Sequence, residues 1–558
     1  MRCASCIREK TKGAAATVTA KTPHGKNDYT MKRKVLLILC SVILLAAGWL
    51  RITGLTLLAA LVPLLLISRS YGPSRRDFWR MAGWTALTFT LWSVATIWWV
   101  WNAAPVGVFA ATIVQVVLFG GVFMIYHYVS KRSAEPLSFV VLVCGWLAAE
   151  YIYLNGQISF PWLLLGNGFA NDTWAIQWYE YTGVLGGSLW VLVSNLLLYK
   201  ALTVRNRRWW IREAAWVAIP LIISGVIYLS WEEPASRTVK VTAVQPNIEP
   251  YTEKFVMPQS EQDAIMLSLA AQTPADVDFI LLPETAVDDN IWEHNLVGSP
   301  SVRRYIEFIR TQRPSAQFIA GATTLKHYAD ESEASVTARE SYDGTWWYDV
   351  YNSALAIDST GRVAVHHKAK LVIGTEMMPF MNILKPISKF IIDLGGTTGQ
   401  LGTDNYYRIF RLRTADGTTV SSAAPICYES VYGEHFATFA ARGAQVIFVV
   451  TNDGWWGDTP GYKQHFSFSR MRAIETRRYI GRSANTGISG FINPRGDVLQ
   501  TLGWDVRGII TRELPLSDKV TFYAAYGDYL GRIGGYVFLL SILYFVVYRF
   551  RKRSHIVE

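Results

Sequence analysis

Ser421-Ser422-Ala423-Ala424-Pro425-Ile426-Cys427-Tyr428-Glu429-Ser430 reads as a strand that stops on a cysteine. Small and apolar residues fill Ser421–Ile426, and aromatic and charged residues take over from Cys427. Cys427 is also the one cysteine between residues 232 and 527. A lone thiol cannot close a disulfide within its own domain, and it is too few ligands for a structural zinc site. Its bland reading is a small buried hydrophobe. In an oxidising compartment an idle thiol is a liability, so its presence there points to a thiol whose reactivity is used.

Around this strand, others alternate with helices. Strand candidates are Val239–Val244, Phe279–Leu282, Phe318–Ala322, Ser353–Ile357, Val446–Val450 and Ser489–Ile492. Helical candidates are 258–272, 301–312, 431–442 and 464–480. Repeated βα alternation predicts an α/β domain of stacked layers over residues 232–520. The acidic, polar stretch 328–348 reads as a surface excursion.

The rest of the 558 residues differs in composition. Apolar residues, 51% of the chain, concentrate before residue 232 and after residue 527. Apolar segments fall at 35–50, 52–68, 79–102, 106–127, 137–155, 177–199, 211–231 and 528–549. The first two are short, and Arg51 between them predicts a tight hairpin. Several approach the ~20 residues that span a bilayer. The expectation is a polytopic helical membrane bundle of about eight transmembrane helices plus the α/β domain. Residues 31–231 would form seven helices and residues 526–550 the eighth, with a cytoplasmic tail at 551–558. Residues 1–30 are polar and read as an N-terminal extension. Cys3 and Cys6 form a C-x-x-C with no second pair, so zinc is not expected there. No A-x-A-like cleavage site follows the first segment, so it reads as an anchor.

The net charge of +11 raises the question of nucleic acid. Its distribution answers it. Lys32, Arg33 and Lys34, then Arg69, Arg75, Arg76 and Arg80, Lys131 and Arg132, Lys200, Arg205, Arg207 and Arg208, and Arg549 to Arg553 all lie between or beside apolar segments. One orientation puts every cluster on the cytoplasmic side, with both chain ends inside and the α/β domain outside. No nucleic-acid recognition motif accompanies the charge.

Two further strand ends carry chemistry. Leu281-Leu282-Pro283-Glu284-Thr285-Ala286 delivers Glu284 at the tip of an apolar run. A carboxylate beside apolar walls can serve as a general base, and alone it could equally be a solvated strand end. His366-His367-Lys368-Ala369-Lys370-Leu371-Val372 carries Lys368, with Glu376 eight residues on. A lysine in a closed site can stabilise a thiolate or oxyanion, and alone it could be an edge lysine. The adjacent histidines point to opposite faces of a strand, so one metal cannot easily take both.

Glu284, Lys368 and Cys427, each ending a strand in that order, resemble the arrangement of the nitrilase superfamily. The runs Thr451-Asn452-Asp453-Gly454-Trp455-Trp456-Gly457 and Ala484-Asn485-Thr486-Gly487 strengthen the likeness. Placed between a multi-helix bundle and a last apolar helix, the domain resembles the apolipoprotein N-acyltransferase family over residues 31–558. Phe160-Pro161-Trp162-Leu163, Gly183, Gly186-Gly187-Ser188 and Val244-Gln245-Pro246-Asn247-Ile248 are similar to that family too. Two departures stand out. The family's L-V-P-F-G-E is here Leu371-Val372-Ile373-Gly374-Thr375-Glu376, and a tryptophan common after the first strand is here Phe255.

The resemblance implies a nitrilase-like αββα sandwich on the periplasmic side of a bacterial inner membrane. It implies acyl transfer from a phospholipid to the α-amine of a diacylated apolipoprotein through a Cys427 thioester. Glu284 would be the base and Lys368 the electrostatic clamp. Glu376 and Glu429 would orient them, and Tyr428, Phe255, Trp455 and Trp456 would contact substrate or support the pocket. No cofactor or metal is expected, the bilayer is a partner, and the protein is expected to be a monomer. The apolar, methionine-rich stretch 377–392 reads as a lid or membrane-dipping arm, with a core helix as the alternative.

Three rivals remain at this point: a membrane-anchored amidohydrolase, a transporter or channel, and an inactive scaffold. Eight helices exceed what an anchor needs. Glu150 and Glu180 are the main ionisable residues within the spans, too few for a polar conduction path. A scaffold has no use for all three of Glu284, Lys368 and Cys427.

Overall fold

A computed structural model of the chain describes residues 29–233, 237–380, 400–414 and 416–557. The Cys3/Cys6 tail and most of the expected arm at 377–392 lie outside those residues.

Among the described residues, fourteen strands build two sheets. The first has the order β14-β1-β2-β4-β6-β5, with β3 beside β4 and β7 beside β6. These strands are β1 (Thr238–Gln245), β2 (Phe279–Leu281), β3 (Val287–Trp292), β4 (Gln317–Tyr328), β5 (Arg339–Glu340), β6 (Trp347–Ile357), β7 (Val363–His367) and β14 (Gly508–Pro515). The second sheet runs β13-β12-β11-β10-β9-β8. Its members are β8 (Phe410–Arg413), β9 (Thr419–Ala423), β10 (Val446–Thr451), β11 (Ile480–Ala484), β12 (Ser489–Ile492) and β13 (Val498–Leu502). The central pairs β1/β2, β2/β4, β9/β10 and β10/β11 are parallel.

Three apolar layers hold the sandwich. Val241, Phe279 and Ile319 of the first sheet meet Val420, Phe448 and Phe491 of the second, with the Phe279 and Phe448 rings 5.1 Å apart. The outer face of the first sheet packs on the helices Gln259–Ala270 and Pro300–Gln312 through Met266, Tyr305 and Ile309. The outer face of the second packs on Gly433–Ala441 and Pro460–Thr476 through Phe436, Phe439 and Ala473. The result is the expected αββα order. Strands buried on both faces need no alternation, which is why Val446–Thr451 is nearly continuously apolar.

The expected helix 464–480 ends earlier than its pattern suggests. Arg477 takes a left-handed φ of 49°, and Ile480–Ala484 continues as β11. The excursion 328–348 does lie at the surface, between the far ends of β4 and β6.

All eight apolar segments are helical, but they are not equal. Among the described residues, five helices are long and apolar enough to cross a membrane: Pro105–Ser130, Glu135–Asn155, Tyr179–Val204, Arg207–Leu229 and Tyr529–Lys552. The first segment is the 16-residue helix Met31–Ala46. The second is split into Leu57–Ala60 and Val62–Ser70. The third, Arg75–Ile97, opens on Arg75, Arg76, Asp77 and Arg80. The structure therefore gives several membrane-length helices, with the first two segments short as expected. The Arg51 hairpin is present, with Arg51 left-handed at φ 62° and Ile52 N donating to Ala47 O at 3.0 Å.

Bundle and sandwich share one core. Tyr428, Val431, Tyr432, Phe468 and Met471 of the α/β domain join the apolar cluster of the bundle. Polar pins cross the same boundary. Gln464 Oε1 accepts from the indoles of Trp99 (3.2 Å) and Trp162 (2.7 Å), and its Nε2 donates to Trp49 O (3.1 Å) and Thr96 O (3.2 Å). Arg477 donates to Gln177 O at 2.8 Å and to Glu180 at 3.1 Å. Glu150 accepts from Trp146 and from the Leu165 N–H. Both carboxylates are thus engaged by neighbouring donors.

Candidate active site

Three strand ends converge between the sheets. After β2, Pro283 and Glu284 turn across β4, and Thr285 is left-handed at φ 49°. Gly321 makes room for that turn, because a Cβ there would sit 2.5 Å from Glu284 Cα and from Pro283 O. Lys254, itself buried, donates to Thr285 O at 2.6 Å and pins the turn from the other side. Lys368 follows β7, with its N–H on Asn352 O at 2.8 Å. Cys427 follows β9 and a bridge between Ile426 and Val450. Its φ of 47° is strained for a residue with a Cβ, a feature that collects at functional sites.

The side chains meet. Lys368 Nζ donates to Glu284 Oε1 and to Glu376 Oε1, each at 2.9 Å. Asn352 Nδ2 reaches the same two oxygens at 2.8 and 2.9 Å. Glu284 Oε2 accepts from the Asn452 N–H at 3.0 Å, and the carboxyl group lies beside the Cys427 thiol. The altered loop before Glu376 still delivers it. Gly374 takes a φ of 85°, and Glu376 Oε2 closes back on the Val372 N–H at 2.8 Å.

The charge states follow from these contacts. Burial pushes the Glu284 carboxyl up, but Lys368 and the hydrogen bonds outweigh it and hold it below the usual range. Burial pushes the Lys368 ammonium down, and the carboxylates of Glu284 and Glu376 more than reverse this. Burial first, then the Glu284 charge, push the Cys427 thiol well above its ordinary value. The resting centre is therefore a neutral thiol beside a carboxylate. An ammonium has three N–H donors. Two hold carboxylates here.

Behind the cysteine lies a second cluster. Glu429 Oε1 accepts from Ala369 N (2.7 Å) and His435 (3.0 Å), and its Oε2 from Ile426 N (2.7 Å) and His366 (3.3 Å). It ties the end of β7 to the cysteine turn. His366 points inward to it, while His367 points outward to Glu293 at 2.6 Å, as opposite strand faces require. Cys427, Asp453 and His465 bring metal-type ligand atoms within 4.8 Å of one another. Both Asp453 oxygens already hold Arg482, at 3.0 and 2.7 Å, so the set is organised around a guanidinium and does not fit a metal.

The remaining expected residues lie elsewhere. Tyr428 turns to the bundle and donates to Ser159 O at 3.1 Å. Trp456 packs on Trp99 and Trp162 at 5.0 and 5.7 Å. Phe255 is exposed and stacks on Trp455, with ring centres 6.1 Å apart. The two motif runs 451–457 and 484–487 meet where Asn485 N donates to Thr451 O at 3.1 Å. Asn352 and Lys254 were missed by the sequence reading. Asn352 sits mid-strand, and Lys254 stands in a turn that carries no local signal.

With this geometry in hand, comparison with known proteins becomes informative. Residues 240–521 match the Carbon-nitrogen hydrolase family. The chain belongs to the carbon-nitrogen hydrolase family. Residues 36–197 match the Apolipoprotein N-acyltransferase N-terminal domain, so the bundle carries its own likeness beside the hydrolase-type sandwich. The chain is 28% identical over 483 residues to the apolipoprotein N-acyltransferase of Chlorobaculum tepidum, covering 84% of this chain and 87% of that one. It is 29% identical over 470 residues to that of Allorhizobium ampelinum, covering 78% and 80%. Among solved structures, an amidase from Nesterenkonia sp. aligns at 15% identity and TM-score 0.35, covering 54% of this chain and 97% of that one. As a carbon-nitrogen hydrolase family member, the chain adds a helical bundle of membrane type to the sandwich.

Proposed function

We propose that this protein is an apolipoprotein N-acyltransferase that moves an acyl chain from a membrane phospholipid to the N-terminal α-amine of a diacylglyceryl-cysteine. The observation that carries the reading is one chain in which a buried Glu284–Lys368–Cys427 centre is built onto an apolar bundle, each part matching its own half of that enzyme type.

The geometry supports two half-reactions. Cys427 Sγ attacks the ester carbonyl while its proton passes to Glu284. The third Lys368 N–H stabilises the tetrahedral oxyanion. The C–O bond breaks, the lysophospholipid oxygen takes the proton back from Glu284, and a thioester remains. The neutral α-amine then attacks that thioester, Glu284 accepts an amine proton, and the C–S bond breaks. Sγ leaves as thiolate and recovers the proton from Glu284, so both steps balance with no cofactor. A thioester accepts an amine more readily than an oxygen ester would, which accounts for cysteine at this position.

Glu376 and Glu429 act as orienting groups. Tyr428 and Trp456 serve domain docking, and Phe255 with Trp455 forms an exposed aromatic stack suited to a lipid-facing rim. The placement is a bacterial inner membrane, both chain ends cytoplasmic and the sandwich periplasmic, supported by the basic clusters between the apolar segments. In that placement the three shorter or more polar segments complete eight passes, the split second one largely buried within the bundle. One copy holds every named group, which fits a monomer.

The test is transfer itself. Purified protein in phospholipid vesicles should add one acyl chain to the N-terminus of a diacylated lipopeptide, read by mass spectrometry. A lipopeptide with an acetylated amine should gain nothing. Release of free fatty acid with no gain on the amine would mean a hydrolase instead.

A further inference from the structure

Asn352 occupies the interior of β6, opposite Thr323 of β4. Its Nδ2 and the Lys368 Nζ donate to the same two oxygens, Glu284 Oε1 and Glu376 Oε1, at 2.8 to 2.9 Å. Two donors and two acceptors thus form a closed ring of four contacts. The Asn352 backbone carbonyl also receives the Lys368 backbone N–H, so one residue holds the lysine at its root and shares both carboxylate partners of its tip.

We propose that Asn352 is a positioning residue for acyl transfer, whose amide holds the two carboxylates at the spacing Lys368 bridges and limits how readily Glu284 takes a proton. The inference rests on the reading of Glu284 as the base for Cys427.

Three observations support it. First, the Asn352 amide oxygen is buried and has no hydrogen-bond partner among the described residues. A leucine of similar size would bury no orphan acceptor, so the position is selected for its two N–H donors. Second, the donor is neutral. A second cation here would favour the unprotonated carboxylate too strongly for it to act as a base, and a carboxylate would add a third negative charge to the ring. Third, the ring commits Glu284 Oε1 to two donors, whereas Oε2 accepts from a single backbone N–H and so has the greater capacity for a further proton.

The charged groups around Glu284 are Lys368 and Glu376 from the end of β7 and its loop, Cys427 from the turn after β9, and Lys254 from the turn before Gln259–Ala270. Asp453 stands behind Cys427, and Asp288 beside Lys254. Within this set Asn352 is the neutral side chain bonded to both carboxylates. Losing its N–H donors raises the pH at which Glu284 becomes a competent base.

The test uses the full chain in detergent micelles. Iodoacetamide labelling of Cys427 is followed against pH by peptide mass spectrometry, beside acyl-adduct formation from phospholipid. Asn352→Leu should move the acid limb of labelling up by about one pH unit, as loss of one donor to a carboxylate implies. It should also lower kcat about tenfold with KM for phospholipid unmoved. Asn352→Asp, which keeps the shape, should move the limb further in the same direction, and it decides the matter if the leucine variant does not fold. An unmoved limb in the folded variants, or a uniform rate loss without a shift, overturns the proposal. Wild-type labelling behaviour in Glu284→Gln would instead remove Glu284 as base, and this inference with it.

Discussion

Glu284 and Glu429 are both buried carboxylates serving the same cysteine, and they are wired in different ways. Glu429 accepts four hydrogen bonds, two from backbone N–H groups and two from histidines, with every oxygen position committed. Glu284 accepts from Lys368, Asn352 and one backbone N–H, and its remaining contact is the thiol itself. A fully bonded carboxylate is a brace. One that keeps a position for a transferable proton is a base. Burial alone therefore does not distinguish the two carboxylates; the identity of their partners does.

Four experiments press on this contrast, from the largest effect to the smallest. Glu284→Gln removes the proton acceptor and keeps the shape. Acyl-Cys427 formation should fall by about 1000-fold or more, with the melting temperature nearly unchanged. Glu429→Gln turns an acceptor-only group into one whose amide meets an N–H or a histidine donor. It should lower stability by about 3 kcal/mol, read from denaturant midpoints, and slow acylation by about tenfold to a hundredfold through the displaced turn. Equal rate losses in the two variants, with equal stability, would erase the contrast.

The third experiment is a pH series. Burial pushes His435 below its ordinary value, and the histidines hold Glu429 well below its own although burial opposes them. For both groups the folded value is the lower one. Their contribution is therefore present above the unfolded values, about 6.5 for His and about 4.3 for Glu, and is lost as pH falls through the folded ones. Wild-type melting temperature should decline as pH drops below about 6.5, and His435→Gln should flatten the first part of that decline. The fourth is Lys254→Met. It frees Thr285 O and loosens the turn that aims Glu284, so acylation should slow by about tenfold while the fold holds.

Much of this was legible in the sequence because apolar strands ending on polar residues announce themselves. Glu284, Lys368 and Cys427 each stood at such an end, and the seven strands expected around them are present. What was not legible had a physical reason. Ile480–Ala484 is a buried strand containing Arg482, whose charge is matched only by Asp453 from a distant turn, so the local pattern reads as helix end. Val498–Leu502 and Gly508–Pro515 alternate weakly because they lie toward sheet edges. Asn352 looks like any polar residue on a half-exposed strand, and its partners come from sequence separations of 68 and 24. The helix Pro460–Thr476 is buried on nearly every side between sheet and bundle, so its polar residues meet protein where an amphipathic reading assigns solvent.

In the proposed reaction Cys427 carries the acyl group from the phospholipid to the lipopeptide amine. Mass spectrometry of purified protein incubated with phospholipid, then with a diacylated lipopeptide, tests it most directly. One acyl adduct should form on Cys427 and be gone once the lipopeptide is added, with the same mass appearing on the peptide amine. An adduct that persists in Cys427→Ala, or one discharged to water with the peptide unchanged, would contradict it.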